Sequence, residues 1–227
     1  MKLTSEIIRT LQNLKGVGKK TILKIAENIY NPISTIDDLC LFWTNQCRLS
    51  TNTKSNFYNK YTHDDLIAAN KIAKNIIKKN EFENIGIISY YETNFPSILK
   101  YYINEFGKDD PVILLYYKGN LNLLEKPGIA IIGTREPTKN GLKAGRFFAE
   151  EFAKENFNIV SGLAIGCDTA GHKGALNING ATTAFLANGL DWDSIYPKEN
   201  LELAKSIVKN GGLLLSEYPI GQPCGRY

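Results

Sequence analysis

From residue 128 onward the sequence alternates short, continuously apolar runs with amphipathic stretches, and this alternation restricts the fold more than any other feature. The apolar runs are "GIAIIG" (128–133), "FNIVSG" (157–162), "TTAFLAN" (182–188) and "GLLLSEY" (212–218). Between them lie "KNGLKAGRFFAEEFAKEN" (139–156), "TAGHKGALNIN" (169–179) and "KENLELAKSIVKN" (198–210), which carry apolar residues at helical spacing. In the first of these Leu142, Phe148, Phe152 and Ala153 are expected along the buried side. Strands without polar alternation are buried on both faces. Strands separated by helices of this length are parallel, because a crossover of a dozen residues or more is what a parallel pair requires. The expectation is an α/β domain with a doubly wound, mostly parallel Rossmann-like sheet covered on both sides.

In such a sheet, ligands sit beyond the carboxyl ends of the strands, so the loops there are read together. The first, "GTREPTKNG", offers Gly133 for close backbone approach, the hydroxyl of Thr134, the forked guanidinium of Arg135 and then Lys139. The second, "SGLAIGCD", offers Ser161, Gly162 and Gly166 leading into a helix whose N-terminus favours an anion, with Lys173 further along that helix. A phosphate site at these eight residues is the candidate. Neither G-x-G-x-x-G at a strand-to-helix turn nor G-x-x-x-x-G-K-[ST] occurs, which argues against a dinucleotide cofactor and against a P-loop nucleotidase. Asp168 and His172 are four apart at a helix start and could share a face, but no nucleophile accompanies them. Capping by Asp168 and packing by His172 is the preferred reading. Asp191, Asp193 and Glu217 are expected to brace loops rather than to hold a metal.

The first 80 residues differ in kind. They read as helices throughout, with Ser34 as an expected cap before "TIDDLCLFW", and hold 13 Lys or Arg against 6 Asp or Glu. The stretch "LKGVGKKTILKIAENIY" (14–30) places Gly16 and Gly18 around Val17 before a periodic helix, a pattern similar to a helix-hairpin-helix module. Its turn could set Lys19 and Lys20 near a phosphate as a secondary nucleic-acid contact, or the hairpin could simply pack. The aromatic stretch "SNFYNKYT" (55–62) is expected to pack over the helices. Residues 81–127 contain one or two β-rich runs broken by Pro96, Pro111 and Pro127, and read as a connecting segment. The expected organisation is a helical domain (1–80), a connecting segment (81–127) and a Rossmann-like domain (128–227).

Cys40, Cys47, Cys167 and Cys224 form no C-x-x-C pair and lie far from His63 and His172 in sequence, so neither a zinc site nor a disulfide framework is expected. No cofactor is expected. No apolar run approaches the roughly 20 residues that span a bilayer, and the N-terminus lacks a continuous hydrophobic core, so a cytoplasmic protein is the expectation.

The stretches "IAIIGTREPTKNG", "IVSGLAIGCDTAGHKGAL", "NGLDWDSIYPKEN" and "GGLLLSEYPIGQP", in this order, resemble the DNA-processing protein A (DprA, also Smf) family, as do "ISYYETNFPSILKYY" and "PVILLYYKGN" upstream. The resemblance implies a non-enzymatic single-stranded DNA-binding protein. It implies protection of incoming DNA in natural transformation, help in loading a RecA-type recombinase, a homodimer, and a positively charged pocket at the carboxyl edge of the sheet. Gly133, Thr134 and Arg135 stand where that family has a Gly-Ser-Arg turn, and Ser161, Gly162 and Gly166 match its glycine loop. Cys167 replaces a hydrophobic residue, and Lys173 follows the histidine as a basic residue commonly does there. Family members continue past the Ser-Glu-Tyr-Pro strand into an arginine-rich segment, whereas this sequence stops at "CGRY", so an incomplete sheet edge and pocket are expected. Arg226 is not equated with those arginines. The competing expectation is a nucleotide-binding sensor or an enzyme like the nucleoside-monophosphate phosphoribohydrolases, whose Pro-Gly-Gly-x-Gly-Thr loop is absent here.

Overall fold

The computed structural model describes residues 2–49, 57–100 and 112–225, so Ser55, Asn56, Pro111, Arg226 and part of the connecting segment lie outside it. Internal contacts divide the chain into two units. The first comprises the described residues of Met1–Lys79, Ile87–Phe95 and Leu99–Leu114; the second comprises those of Asn80–Gly86, Pro96–Ile98 and Leu115–Tyr227.

The first unit is built on helices α1 (Ser5–Gln12), α2 (Lys19–Glu27), α3 (Ile36–Leu49) and most of α4 (His63–Phe82). Thr4 caps α1 by accepting from the Ile7 amide, and Ile7, Ile8 and Leu11 fall on its buried face. The cap before α3 is Thr35 rather than Ser34. Its Oγ1 accepts from the Asp38 amide at 3.1 Å while the Asp38 carboxylate accepts from the Ser34 and Thr35 amides. This reciprocal box satisfies three donors, and the Thr35 hydroxyl leads the hydrogen bonds that hold the Asp38 carboxyl below its usual value. Trp43 is buried, donates Nε1 to the Tyr58 carbonyl at 2.9 Å, and is ringed by Phe57, Tyr58 and Tyr61. The described part of the aromatic stretch thus packs over the helices.

Strands β1 (Gly86–Ser89), β2 (Leu114–Gly119), β3 (Gly128–Ala130), β4 (Asn158–Ser161), β5 (Thr182–Leu186) and β6 (Leu213–Ser216) form one sheet in the order β1-β2-β6-β5-β4-β3. Pairs β3–β4, β4–β5 and β5–β6 are parallel, and β2 joins β6 antiparallel. The parallel strands are linked by α5 (Lys139–Lys154), α6 (Cys167–Asn177) and α7 (Leu201–Lys209). A mostly parallel Rossmann-like sheet is therefore observed. Its core joins Ala149 and Ala153 of α5, Ile159 of β4 and Ala175 of α6.

Two expectations about burial are corrected. The run 128–133 is not covered on both faces: among the described strands β3 pairs with β4 alone, Gly128 and Ala130 are exposed, and Ile132 is 72% exposed. The buried side of α5 is carried by Ala149 and Ala153, while Leu142 and Phe148 are exposed and Phe152 is half-buried. The cause is the close approach of α6, which admits alanines and not rings: a Cβ on Gly174 would lie 2.5 Å from the Arg146 carbonyl and 2.6 Å from the Ala149 Cβ.

Candidate nucleic-acid interface

Thr138 starts α5 by accepting from the Gly141 amide at 3.1 Å, which fixes the rotation of the helix. Lys139, Lys143 and Arg146 then recur at spacings of four and three, so they stack along one face. The tight crossing at Gly174 brings α6 alongside, and Lys173 joins that face from the second helix. Together with Arg135 these side chains line an open groove of about 640 Å³ whose one acidic lining residue is Glu136. Five cations against one carboxylate make a surface for a polyanion.

The glycine loop has a different role from the one its sequence suggests. The Asp168 carboxylate accepts from the Gly162 amide at 3.1 Å and the Ala164 amide at 3.2 Å, so the Gly162 donor expected to face a phosphate is already satisfied within the loop. Ser161 is buried and donates its hydroxyl to the Ile131 carbonyl at 2.6 Å. Gly166 has φ +88°, and a Cβ there would sit 2.4 Å from the Thr134 carbonyl and 2.7 Å from that of Arg135. Only glycine lets the two loops touch here. The Cys167 amide donates to that same Thr134 carbonyl at 3.2 Å, and Gly133 faces Cys167 so closely that a Cβ would lie 2.7 Å from Sγ. Thr134 Oγ1 accepts from the Glu136 amide at 3.2 Å and closes the turn that carries Arg135 outward. Of the eight strand-end candidates, Arg135, Lys139 and Lys173 therefore present charge to the groove. Gly133, Thr134, Ser161, Gly162 and Gly166 hold the frame.

His172 is fully buried and its Nδ1 lies 2.7 Å from Thr182 Oγ1. That hydroxyl spends its proton on the Ile159 carbonyl at 2.8 Å, so it accepts from Nδ1–H, which leaves Nε2 unprotonated in an apolar site. Burial pushes the His172 pKa down to about 4. Asp168 and His172 have separate partners and do not act as an acid–base pair.

Arg135 also borders a second cavity of about 300 Å³, with Ile165, Phe185, Asn188, Tyr196 and Glu199 in its wall. The loop that carries Tyr196 is fastened at several points. Asp191 accepts from Ser194 Oγ and from the Gly221 amide, both at 2.7 Å, and Lys198 Nζ donates to the Asp193 carbonyl. The Trp192 ring lies 3.9 Å from the ammonium of Lys118, a buried β2 lysine with Glu83 at 3.6 Å. Burial pulls the Lys118 pKa down, against the opposing pull of Glu83.

Gly16, Gly18, Lys19 and Lys20 lie in the first unit. Gly16 has φ +85° in the turn, and Gly18 caps α2 without a side-chain hydrogen bond. Lys143, Arg146, Phe185 and Tyr196 were not read as site residues from the sequence. The basic pair was visible as the i, i+4, i+7 continuation of Lys139 in "KNGLKAGR", whereas nothing in "TTAFLAN" marks the one exposed side chain of a strand. Among the described residues no group of three His, Cys, Asp or Glu is placed to hold a metal ion, and no helix is long and apolar enough to cross a membrane.

The family model described as DNA recombination-mediator protein A matches residues 86–227. The chain is 44% identical over 149 residues to protein Smf of Synechocystis, covering 64% of this chain and 35% of that protein. It is 43% identical over 113 residues to DNA processing protein DprA of Streptococcus pneumoniae, covering 50% of this chain and 39% of that one. The X-ray structure of the Streptococcus pneumoniae protein superposes with a TM-score of 0.67 at 29% identity, over 100% of this chain and 71% of that chain. The chain thus spans about a third of the length of the relatives it matches in sequence. With a matched region that begins at β1 and takes in the whole strand-end site, the chain belongs to the DNA recombination-mediator protein A family, that of DprA and Smf.

Proposed function

We propose that the chain binds single-stranded DNA through the groove between α5 and α6, and acts in DNA processing by protecting that DNA and handing it to a RecA-type recombinase, as a homodimer. The observation that carries the reading is the convergence of Arg135, Lys139, Lys143, Arg146 and Lys173 on one open groove. A strand of phosphates needs spaced cations on a fixed frame, and the helix crossing at Gly174 supplies that frame. The names of the relatives, DNA processing protein and recombination mediator, support the same role.

Fluorescence anisotropy of labelled oligo-dT across a salt series tests it. Each phosphate neutralised on a single strand contributes about −0.7 to the slope of log K against log salt, so five phosphates held by the five cations give a slope of about −3.5. Lys143→Ala with Arg146→Ala is expected to flatten the slope by roughly 1 to 1.5. Binding indifferent to salt, or unchanged in Arg135→Ala combined with that pair, would sink the reading.

A further inference from the structure

We propose that the outward face of α4, over residues 67–79, is a docking surface for an anionic lipid bilayer. Its lysines lie among the headgroup phosphates while Ile67 and Ile72 enter the boundary with the acyl chains. The contact is peripheral and lies in the first unit, so it is independent of the DNA-binding groove proposed above.

Contacts with α1 fix the rotation of α4. Leu66, Ala69 and Ala73 are buried, Asn70 donates to Glu6 Oε1 at 2.8 Å and to Thr10 Oγ1 at 3.0 Å, and the Ala69 carbonyl accepts from Asn13 at 3.0 Å. Helical spacing then turns Ile67, Lys71, Ile72, Lys78 and Lys79 to the opposite side, and all five are exposed. Lys74 is exposed at the edge of the same face. At the rise of an α-helix these residues cover about 18 Å.

Two features of this face are unfavourable in water alone. Residues 67–79 hold four lysines and no acidic side chain, with Asp64 and Asp65 before the stretch and Glu81 after it. Lys71 and Lys74 are three apart and Lys74 and Lys78 four apart, the spacings at which like charges repel on a helix. Glu6 lies 3.8 Å from Lys74, but its carboxylate also accepts from Asn70. Helix polarity accounts for Lys78 and Lys79 near the C-terminal end and not for Lys71 and Lys74 in the middle. The second feature is apolar: Ile67 and Ile72 are 53% and 51% exposed, at positions where Ala or Leu would suit a helix better. A single exposed isoleucine is ordinary on a protein surface, but here two share a face with an unbalanced row of lysines.

An anionic bilayer answers both features at once. The negative surface draws in the ammonium groups, whose flexible stems lie along the interface, and the isoleucines leave water for the acyl boundary. Nucleic acid answers only the first. Single-stranded bases are held by stacking on aromatic rings, and residues 67–79 contain none. An acidic helix of a protein partner docks into an apolar groove, whereas this face is the convex outer side of a helix. The complement to a convex strip of cations and aliphatic side chains is a deformable anionic plane.

The test is co-sedimentation of the chain with large vesicles of phosphatidylcholine alone, and of phosphatidylcholine with one part in three phosphatidylglycerol, at physiological salt. Binding to the anionic vesicles and not to the neutral ones is expected. Lys71→Gln with Lys78→Gln is expected to weaken it about 25-fold, a factor of about five for each lysine. Ile67→Ala with Ile72→Ala keeps the charge and is expected to weaken it about tenfold. Both pairs are expected to leave oligo-dT affinity as it was, and matching thermal unfolding guards against a folding defect. Equal binding to the two kinds of vesicle, or to neither, overturns the proposal. So does an isoleucine pair that binds as the parent does, because the face then stays outside the acyl boundary. Vesicle binding lost in Lys143→Ala with Arg146→Ala but kept in the α4 variants assigns the lipid to the groove instead. An oligo-dT affinity that falls with the α4 lysines as steeply as vesicle binding does makes the face a nucleic-acid contact. None of these outcomes alters the salt-slope test of the groove itself.

Discussion

Two places in this molecule combine glycine with lysine beside a helix start, and they use their glycines for opposite purposes. In the hairpin turn of the first unit a Cβ on Gly16 or Gly18 would meet nothing within 4 Å, and Gly16 is needed only for its φ of +85°. In the strand-end loops of the second unit the glycines are pressed against neighbouring atoms: Gly133 on Cys167, Gly166 on the Thr134 and Arg135 carbonyls, Gly174 on the α5 backbone. The hairpin glycines shape a turn. The strand-end glycines hold two loops and two helices at a fixed separation, and the cations of the groove take their spacing from that separation. Similar local composition thus gives an open turn in one unit and a close-packed frame in the other.

The sharpest way to break this contrast is a graded series of alanine substitutions followed by urea denaturation. Gly166→Ala suffers both a backbone conformation hostile to side chains and an overlap with main-chain carbonyls, so it is expected to cost about 3 to 5 kcal/mol. Gly16→Ala has the strain without the overlap, and about 1 to 2 kcal/mol is expected. Gly18→Ala has neither; its slightly poorer capping is offset by a stiffer unfolded chain, leaving a net change within about 0.5 kcal/mol. Equal costs at Gly16 and Gly166 would show that the loop contact is not a close one.

The histidines divide along the same line. His63 is exposed at the start of α4, with Nε2 2.8 Å from Thr44 Oγ1, whereas His172 is fully buried beneath the glycine loop. With a folded pKa of about 4 against 6.5 for the free side chain, His172 stays neutral in the folded state while the unfolded chain takes up a proton as pH falls below 6.5. Stability is therefore expected to be untouched by this group above pH 6.5 and to fall by about 3 kcal/mol as pH reaches 4. His172→Leu should remove that slope whatever it does at neutral pH, and denaturation midpoints at a series of pH values read it directly. An unchanged slope would mean that His172 charges in place, and that the loop is looser than its packing indicates.

The sheet was legible because a continuous apolar run between helices has few other uses, and "FNIVSG", "TTAFLAN" and "GLLLSEY" are central strands as their composition demands. "GIAIIG" has the same composition and lies at an edge, since composition reports what a strand can bury and not what lies beside it. The apolar face of α5 was misplaced for a related reason. Leu142, Phe148 and Phe152 outweigh alanines in any periodicity, yet the neighbouring helix approaches through Gly174 and selects Ala149 and Ala153. At the site, Arg135 could be read from its loop, while the occupation of the Gly162 amide by Asp168 depends on how the chain folds back over six residues. Nor does periodicity show that Phe185 is the outward residue of an otherwise buried strand, because the neighbouring loops decide that exposure.

The smallest expected effect concerns the hairpin lysines. Lys19 and Lys20 stand at the first turn of α2, where helix polarity favours an anion, and Lys20 is exposed while Lys19 is half-buried. Their turn has open space around both glycines, so nothing fixes a phosphate at a set distance from them, and an exposed lysine on a solvated surface contributes weakly and is screened by salt. The double substitution Lys19→Ala with Lys20→Ala is expected to weaken oligo-dT binding by about threefold or less at low salt, against a loss of tenfold or more for Lys143→Ala with Arg146→Ala. The salt slope separates the two cases better than affinity does. Removing cations that each neutralise a phosphate flattens the slope by roughly 0.7 apiece, whereas removing diffuse positive charge shifts the whole line and leaves its slope alone. A flattening of the slope by the hairpin pair as large as that caused by the groove pair would make the turn a second phosphate site of equal rank, and would end the distinction between a shaped turn and a fixed frame.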